Sequence, residues 1–423
     1  MVCSSAFILA LYFSFKGVFL SGSNLITVLS RGGNALIQFL IVLYYGSNFS
    51  AAEFGQLSIL MIIIGLSYGF IDFGTANTVI TRRINKFICG ALQSLNFIMA
   101  IYMGCLLLLL SLLRPDFLGF GDGFFEALKY TLPLFLVYSC TVVPYARLHK
   151  ALKLRALAIV DFIPVFSLLI TVPVFLELGF GLSTLMISIG IQVLLRFYVL
   201  RYFYGSILHF RFGQKLPFNI LFRQYTSNLI VYLTSKLDQV MVAAFLSADS
   251  LGVYSFLKQI LNYPISLLIA IYTQITFPYF SRYRNAVEKI QGLLFKSSAI
   301  LFTVIVMYFV LILLIPNEIM KEFVPMWEFR SELAILIMFL SFARIVTELL
   351  SAMAIAVGFI GRQLYVNLAF LFVTFIFGLA IPFVGLNNYL IMLTGSALFI
   401  SIYIYVTTFN RLKNGKNSSI HSL

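Results

Sequence analysis

In this 423-residue chain 61% of residues are hydrophobic and 10% charged, which excludes a water-soluble domain, because soluble proteins carry about 25% charged residues. The formal net charge of +14 would suit a nucleic-acid binder. In a chain this apolar it is better explained by Lys and Arg collecting on cytoplasmic loops of a membrane protein, so no nucleic-acid partner is expected.

Apolar runs of about 20 residues or more recur along the whole length, as transmembrane helices require. Stretches such as Ile98–Leu113 lack the alternation of a membrane β-barrel. Residues 1–22 contain an apolar run, Ala6–Leu20, interrupted by Lys16. With no basic leader and no small-residue cleavage site, it reads as an interfacial lead-in rather than a signal peptide. An extra span is the alternative.

Twelve spans follow. Six, at roughly 23–46, 54–79, 88–113, 127–148, 156–177 and 183–204, make an N-terminal bundle over 23–204. A cytoplasmic linker at 205–223 precedes six more, at roughly 224–246, 251–279, 292–316, 331–356, 363–385 and 388–410. These make a C-terminal bundle over 224–410, and a basic tail occupies 411–423. The expected fold is all-α and membrane-embedded, with short connections that make neighbouring helices antiparallel.

Charge sets the orientation. Alternate linkers carry Arg82, Arg83 and Lys86, then Arg147, Lys150, Lys153 and Arg155, then Arg211, Lys215 and Arg223. The same side continues with Arg282, Arg284 and Lys289, then Arg362, then Arg411, Lys413 and Lys416. Ser47–Glu53, Gly179–Ser183, Ser247–Ser250 and Leu386–Asn388 contain no basic residue. By the positive-inside rule both termini are cytoplasmic. The outward segments are too short for a catalytic domain. Cys89, Cys105 and Cys140 lie in apolar runs, and with Cys3 they form no metal or redox spacing. They read as small core residues, and no metal or cofactor is expected.

An internal repeat is visible. Ser50-Ala51-Ala52-Glu53-Phe54-Gly55-Gln56-Leu57-Ser58 recurs as Ser247-Ala248-Asp249-Ser250-Leu251-Gly252-Val253-Tyr254-Ser255. Both copies occupy the outward turn between the first two helices of a half. Two halves that each start inside and contain six spans are parallel repeats, related by an axis along the membrane normal.

Ser50–Ser58, with Ile71-Asp72-Phe73-Gly74 and Thr81-Arg82-Arg83, resembles the opening of Wzx-type polysaccharide flippases. Leu237-Asp238-Gln239-Val240, Leu251–Ser255 and Phe277-Pro278-Tyr279-Phe280-Ser281 resemble the start of that family's second bundle. The motifs resemble those of the wider multidrug/oligosaccharidyl-lipid/polysaccharide exporter superfamily more than they point to any one substrate. The resemblance implies two six-helix bundles in the cytoplasmic membrane that work by alternating access. It implies transport of a polyprenyl-pyrophosphate-linked oligosaccharide to the outer leaflet, for O-antigen, capsule or exopolysaccharide. A polymerase and a chain-length regulator are the partners such a pathway would supply.

Ionisable groups inside spans cost about 2.5–3.5 kcal/mol each at a helix centre, so their positions carry information. Asn24, Thr27, Arg31, Asn34 and Gln38 share one face of the first helix, which reads as a cavity wall or as a hydrogen-bonded seam. Ser341, Arg344, Glu348 and Ser351 repeat the pattern in the tenth span, where Arg344 and Glu348 can pair. Lys236 and Asp238, two apart, point in different directions and need separate partners. Lys258 shares a face with Tyr254 and Asn262, with snorkelling to the outer surface as the alternative. Asp72, Asp161 and Arg196 lie near helix ends, where capping or interfacial roles compete.

A pyrophosphate needs cations in a low-dielectric site, and Arg offers it bidentate geometry. The expected substrate-binding set is Arg31, Asn34, Gln38, Lys236, Lys258 and Arg344. Asp72, Asp161, Asp238 and Glu348 are ion-coupling candidates. A multidrug efflux pump is the rival among transporters, and it would want an acidic cavity. A polytopic enzyme such as an O-antigen polymerase is the rival of another class. His149, His209 and His421 form no catalytic or metal spacing.

Overall fold

The computed structural model describes residues 22–81, 85–114, 120–151, 153–205, 210–211, 213, 216–282, 303, 306–310, 331–356 and 360–418. The described secondary structure is α-helical. The elements are α1 (Gly22–Asn48), α2 (Ala51–Asp72), α3 (Thr75–Thr81), α4 (Lys86–Leu113), α5 (Asp122–Leu128), α6 (Thr131–Lys150) and α7 (Leu154–Phe166). They continue with α8 (Leu168–Glu177), α9 (Ser183–Tyr204), α10 (Phe218–Phe245), α11 (Ala248–Arg282), α12 (Ser331–Ala356), α13 (Ile360–Leu379) and α14 (Ile381–Ser418).

Among the described residues six helical segments are long and apolar enough to cross a membrane: Ala51–Asp72, Lys86–Leu113, Asp122–Lys150, Leu154–Glu177, Ser183–Tyr204 and Ile381–Thr407. The chain is a multi-pass, all-α membrane protein. The expected lead-in and the span at 292–316 fall largely outside the described residues. Two compact units divide between Tyr232 and Leu233, inside α10.

Several expected spans are broken, each for a local reason. The span at 54–79 stops at Asp72, because Phe73 (φ 43°) and Gly74 (φ 74°) take left-handed conformations before α3 begins. The span at 127–148 is divided by Lys129 and Tyr130. Pro133 has no N–H for the carbonyl of Lys129, so one continuous ladder cannot form there. The span at 156–177 divides at Ser167, between Pro164 and Pro173. Inside α14 Gly385 (φ 77°, ψ 169°) supplies the turn expected near 386–388.

In the Ser21–Tyr232 unit, α4 packs along α6, α1 along α7, and α9 against α6 and α7. Val79, Cys89, Leu92, Leu95, Val143, Ala146 and Leu221 form one of its apolar clusters. Cys89 and Cys140 are buried as expected, whereas Cys105 is exposed. A Cβ on Gly104 would lie 2.9 Å from the Cα of Leu132. Glycine here lets α4 and α6 approach backbone to backbone, the usual device for packing helices in lipid. In the Leu233–Leu423 unit, α12 is the hub and packs on α11 and α14. The Thr347 and Ser401 hydroxyls, 2.7 Å apart, join α12 to α14.

The repeat is structural. Two residues, Phe49 and Ser50, join α1 to α2, and two, Leu246 and Ser247, join α10 to α11. Ser50 caps α2 with a full capping box: its Oγ accepts from the Glu53 N–H, and the Glu53 carboxylate accepts from the Ser50 N–H at 2.9 Å. Ser247 does half of this for α11, its Oγ accepting from the Ser250 N–H at 3.3 Å. Phe54 and Leu251, Leu57 and Tyr254, and Ser58 and Ser255 are buried at matching positions.

Candidate functional site

The densest cluster of charge among the described residues lies within the Leu233–Leu423 unit, on α10, α11 and α12. Asp238 is fully buried. Lys258 Nζ lies 2.8 Å from its Oδ1 and 2.6 Å from its Oδ2. Tyr254 Oη donates to Oδ2 at 2.6 Å, and the Gln239 N–H donates to Oδ1 at 2.9 Å. Lys258 also donates to the Ser235 carbonyl at 3.3 Å. Gln239 Nε2 bonds Ser255 Oγ at 3.1 Å, tying α10 to α11 beside the ion pair.

Arg344 completes this cluster from α12 but is held less tightly. Its Nη2 lies 3.5 Å from Asp238 Oδ2, and its guanidinium sits 5.0 Å from the centre of the Phe370 ring. Arg344 Nε and Nη2 are buried and make no hydrogen bond among the described residues, and the same holds for Tyr389 Oη and Gln239 Oε1. Tyr389 and Lys236 both interact electrostatically with Asp238 and Arg344. Among the described side chains cations therefore outnumber carboxylates here.

This geometry bears on two of the readings from sequence. Lys258 does not snorkel, because Asp238 offers a salt bridge inside the bundle. Arg344 faces Asp238, and the Glu348 side chain expected to pair with it lies outside the described residues. The Lys258 partnership had a sequence signal. In a helical hairpin, residues nearly equidistant from the turn meet, and Asp238 lies between Tyr254 and Lys258 when counted from Leu246–Ser247. Tyr254, Gln239 and Tyr389 were missed as members, since aromatic and amide residues in apolar runs give no charge signal.

The Ser21–Tyr232 unit holds a second, smaller polar site. Arg196 on α9 bonds Asp161 on α7 at 3.2 Å, and Tyr145 Oη on α6 donates to the other carboxylate oxygen at 2.9 Å. The Arg196 guanidinium stacks 4.2 Å from the centre of the Tyr145 ring. Asp161 and Arg196 thus share one network across α6, α7 and α9. Asp72 instead takes the helix-start role, accepting from the Ala76 N–H at 2.8 Å and from Thr75 Oγ1 at 3.0 Å. The Asn96 amide backs that turn, 2.9 Å from the Thr75 hydroxyl.

On α1, Ser30, Ile37, Ile41, Val42 and Tyr45 are buried, and Leu29, Leu36 and Leu40 are exposed. Arg31 is exposed, while Asn34 and Gln38 are half-buried. Asn34 Oδ1 is buried and makes no hydrogen bond among the described residues. The side chains of Asn24 and Thr27 lie outside the described residues.

The sequence model of the family described as "Polysaccharide biosynthesis protein" matches residues 49–324. The chain is 27% identical over 256 residues to the lipopolysaccharide biosynthesis protein WzxC of Escherichia coli (strain K12), covering 58% of this chain and 51% of that protein. It is 31% identical over 77 residues to the teichuronic acid biosynthesis protein TuaB of Bacillus subtilis (strain 168), covering 18% and 16%. The chain thus spans about half the length of the first relative and far less of the second.

Among solved structures, the lipid II flippase MurJ in an inward closed conformation matches with a TM-score of 0.71 at 12% identity, covering 92% of this chain and 90% of that one. An inward-facing multidrug resistance MATE family transporter of the MOP superfamily matches with a TM-score of 0.68 at 14% identity, covering 93% and 99%. At these identities the likeness establishes the fold, the twelve-helix architecture of that superfamily.

Proposed function

The chain belongs to the polysaccharide biosynthesis protein family, and on that footing we propose that it is a flippase. Its cargo is an oligosaccharide unit on a polyprenyl pyrophosphate, carried from the inner to the outer leaflet of the cytoplasmic membrane by alternating access. Both termini lie in the cytoplasm, and the two bundles are 23–204 and 224–410. A polymerase and a chain-length regulator act on the exported unit. The chain carries out no covalent chemistry.

The observation that supports this reading is the buried network around Asp238, where, among the described side chains, Lys258, Arg344 and Lys236 outnumber the carboxylate. Excess positive charge within a bundle is expensive in lipid, and an anionic cargo returns that cost. A multidrug pump for organic cations would need the opposite sign. Arg31, Asn34 and Gln38 extend the substrate-binding set on α1. Asp72, Asp161, Asp238 and Glu348 are the candidates for coupling to protons or sodium. Asp161 and Asp238 are both ion-paired.

Deletion of the gene is expected to make polyprenyl-linked oligosaccharide accumulate in the inner leaflet. Arg31→Ala is expected to abolish surface polysaccharide at normal protein levels. Unchanged export in a deletion strain carrying Arg31→Ala would remove α1 from the substrate-binding set, and no accumulation in the deletion strain would remove the flippase reading.

A further inference from the structure

The repeat supplies a control for the Asp238 network. The turn residues Ser50 and Ser247 put Asp238 in register with Ile41 and Lys258 in register with Met61. The first hairpin is built with apolar residues where the second has an ion pair. Hairpin packing therefore does not require the charges. A buried ion pair is commonly matched or bettered in stability by apolar residues of similar volume, so the pair has a role beyond holding α10 to α11.

The cluster is also unevenly satisfied. Lys258 is fixed on both carboxylate oxygens, and Tyr254 adds a third short bond. Arg344 is held at 3.5 Å, with its side chain 20% exposed, at the edge of the network. Its Nε and the Tyr389 hydroxyl are buried donors that make no hydrogen bond among the described residues, and its Nη2, 3.5 Å from Asp238 Oδ2, makes none either. Buried donors without acceptors are costly, and together they describe a site for ligand oxygens. Lys236, Lys258 and Arg344 set against Asp238 leave an excess of two positive charges among the described side chains. A pyrophosphate diester carries two negative charges.

We propose that Asp238 is a resident counter-anion that sets the specificity of this site. It holds Lys258 tightly and Arg344 loosely, and a pyrophosphate diester takes Arg344 from it, completing its bonds on Arg344 Nε and Nη2 and on Tyr389 Oη. Among the described side chains, a ligand with a single negative charge leaves one positive charge uncompensated. Asp238 acts here as a positioning residue. The inference rests on the flippase reading for the source of the pyrophosphate.

The test uses the full chain in phosphatidylcholine nanodiscs titrated with inorganic pyrophosphate. Asp238→Asn frees Arg344 and is expected to tighten binding by about tenfold, given the coupling seen for close charge pairs. Arg344→Gln is expected to weaken it by about tenfold, and Tyr389→Phe by a smaller factor. Where Asp238→Asn does not fold, Asp238→Asn/Lys258→Gln releases Arg344 without leaving Lys258 unpaired, and binding tighter than the parent's, by a smaller factor, is expected.

A folded Asp238 variant that binds pyrophosphate no tighter than the parent overturns the proposal. Abolition of the titration by phosphatidylglycerol in the nanodisc would assign the donors to a phospholipid phosphate and overturn it too. Accumulation of lipid-linked oligosaccharide in the deletion strain, with no tightening in the Asp238 variant, would defeat the counter-anion and leave the flippase reading standing. Absence of accumulation would defeat the flippase reading whatever the titration gives.

Discussion

Lys258→Met is the most direct perturbation of the buried network. It leaves Asp238, fully buried, with Tyr254 at 2.6 Å and Arg344 at 3.5 Å as remaining side-chain partners among those described. Removing one member of a buried ion pair costs about 3–5 kcal/mol, and the surviving partners place this case near the lower end. At about 2–4 °C per kcal/mol for a unit of this size, the midpoint should fall by roughly 6–12 °C. Asp238→Ile/Lys258→Met gives the second hairpin the residues of the first. Apolar replacement of a whole pair is often neutral or stabilising, and Arg344 at the edge can turn outward. The double variant should therefore stay within about 3 °C of the parent. Unfolding of membrane proteins is commonly irreversible, so the assay is the monodisperse fraction on size-exclusion chromatography after heating at one fixed rate. A double variant that loses as much as Lys258→Met or more would refute the coupling on which the account depends.

Four further outcomes follow from the helix contacts and caps. Gly104→Val should destabilise the first bundle by about 1–3 kcal/mol, because its side chain meets the backbone of Leu132. Gly190→Ala, with nothing within 4 Å of the added carbon, should be neutral or slightly stabilising in the same heating assay. Gly74→Ala should cost at least about 2 kcal/mol, since φ is 74° and the new Cβ would lie 2.7 Å from the Leu221 carbonyl; it should lower expression as well as the midpoint. Ser50→Ala should cost about 1 kcal/mol and Ser247→Ala less, because the capping box is complete at Ser50. Equal losses would show that the Glu53 half of the box contributes nothing.

The sequence by itself determined solvent, class and repeat. Composition excluded water, apolar run length implied membrane-spanning helices, and the Ser50 and Ser247 motifs marked two turns that are in fact the same two-residue connection with a serine cap. These properties are local, because a cap, a turn and a hydrophobic run are each specified within a few residues. Helix breaks were only partly legible. Pro133 and Pro164 were visible in the sequence, but whether a proline bends or divides a helix in a membrane depends on the neighbours that satisfy its freed carbonyl.

Partner choice for the charges belonged to tertiary structure. Sequence spacing on one helix suggested Arg344 with Glu348 and left Lys236, Asp238 and Lys258 without assigned partners. The fold put Asp238 against Lys258 across the hairpin and brought Arg344 to it from α12. It joined Arg196 to Asp161 and reduced Asp72 to a helix-start acceptor. An ion pair is set by which helix faces meet, and that depends on packing over the whole unit. The intramembrane charges announced that something would be paid in solvation, and only the packed helices decided which carboxylate would hold which cation.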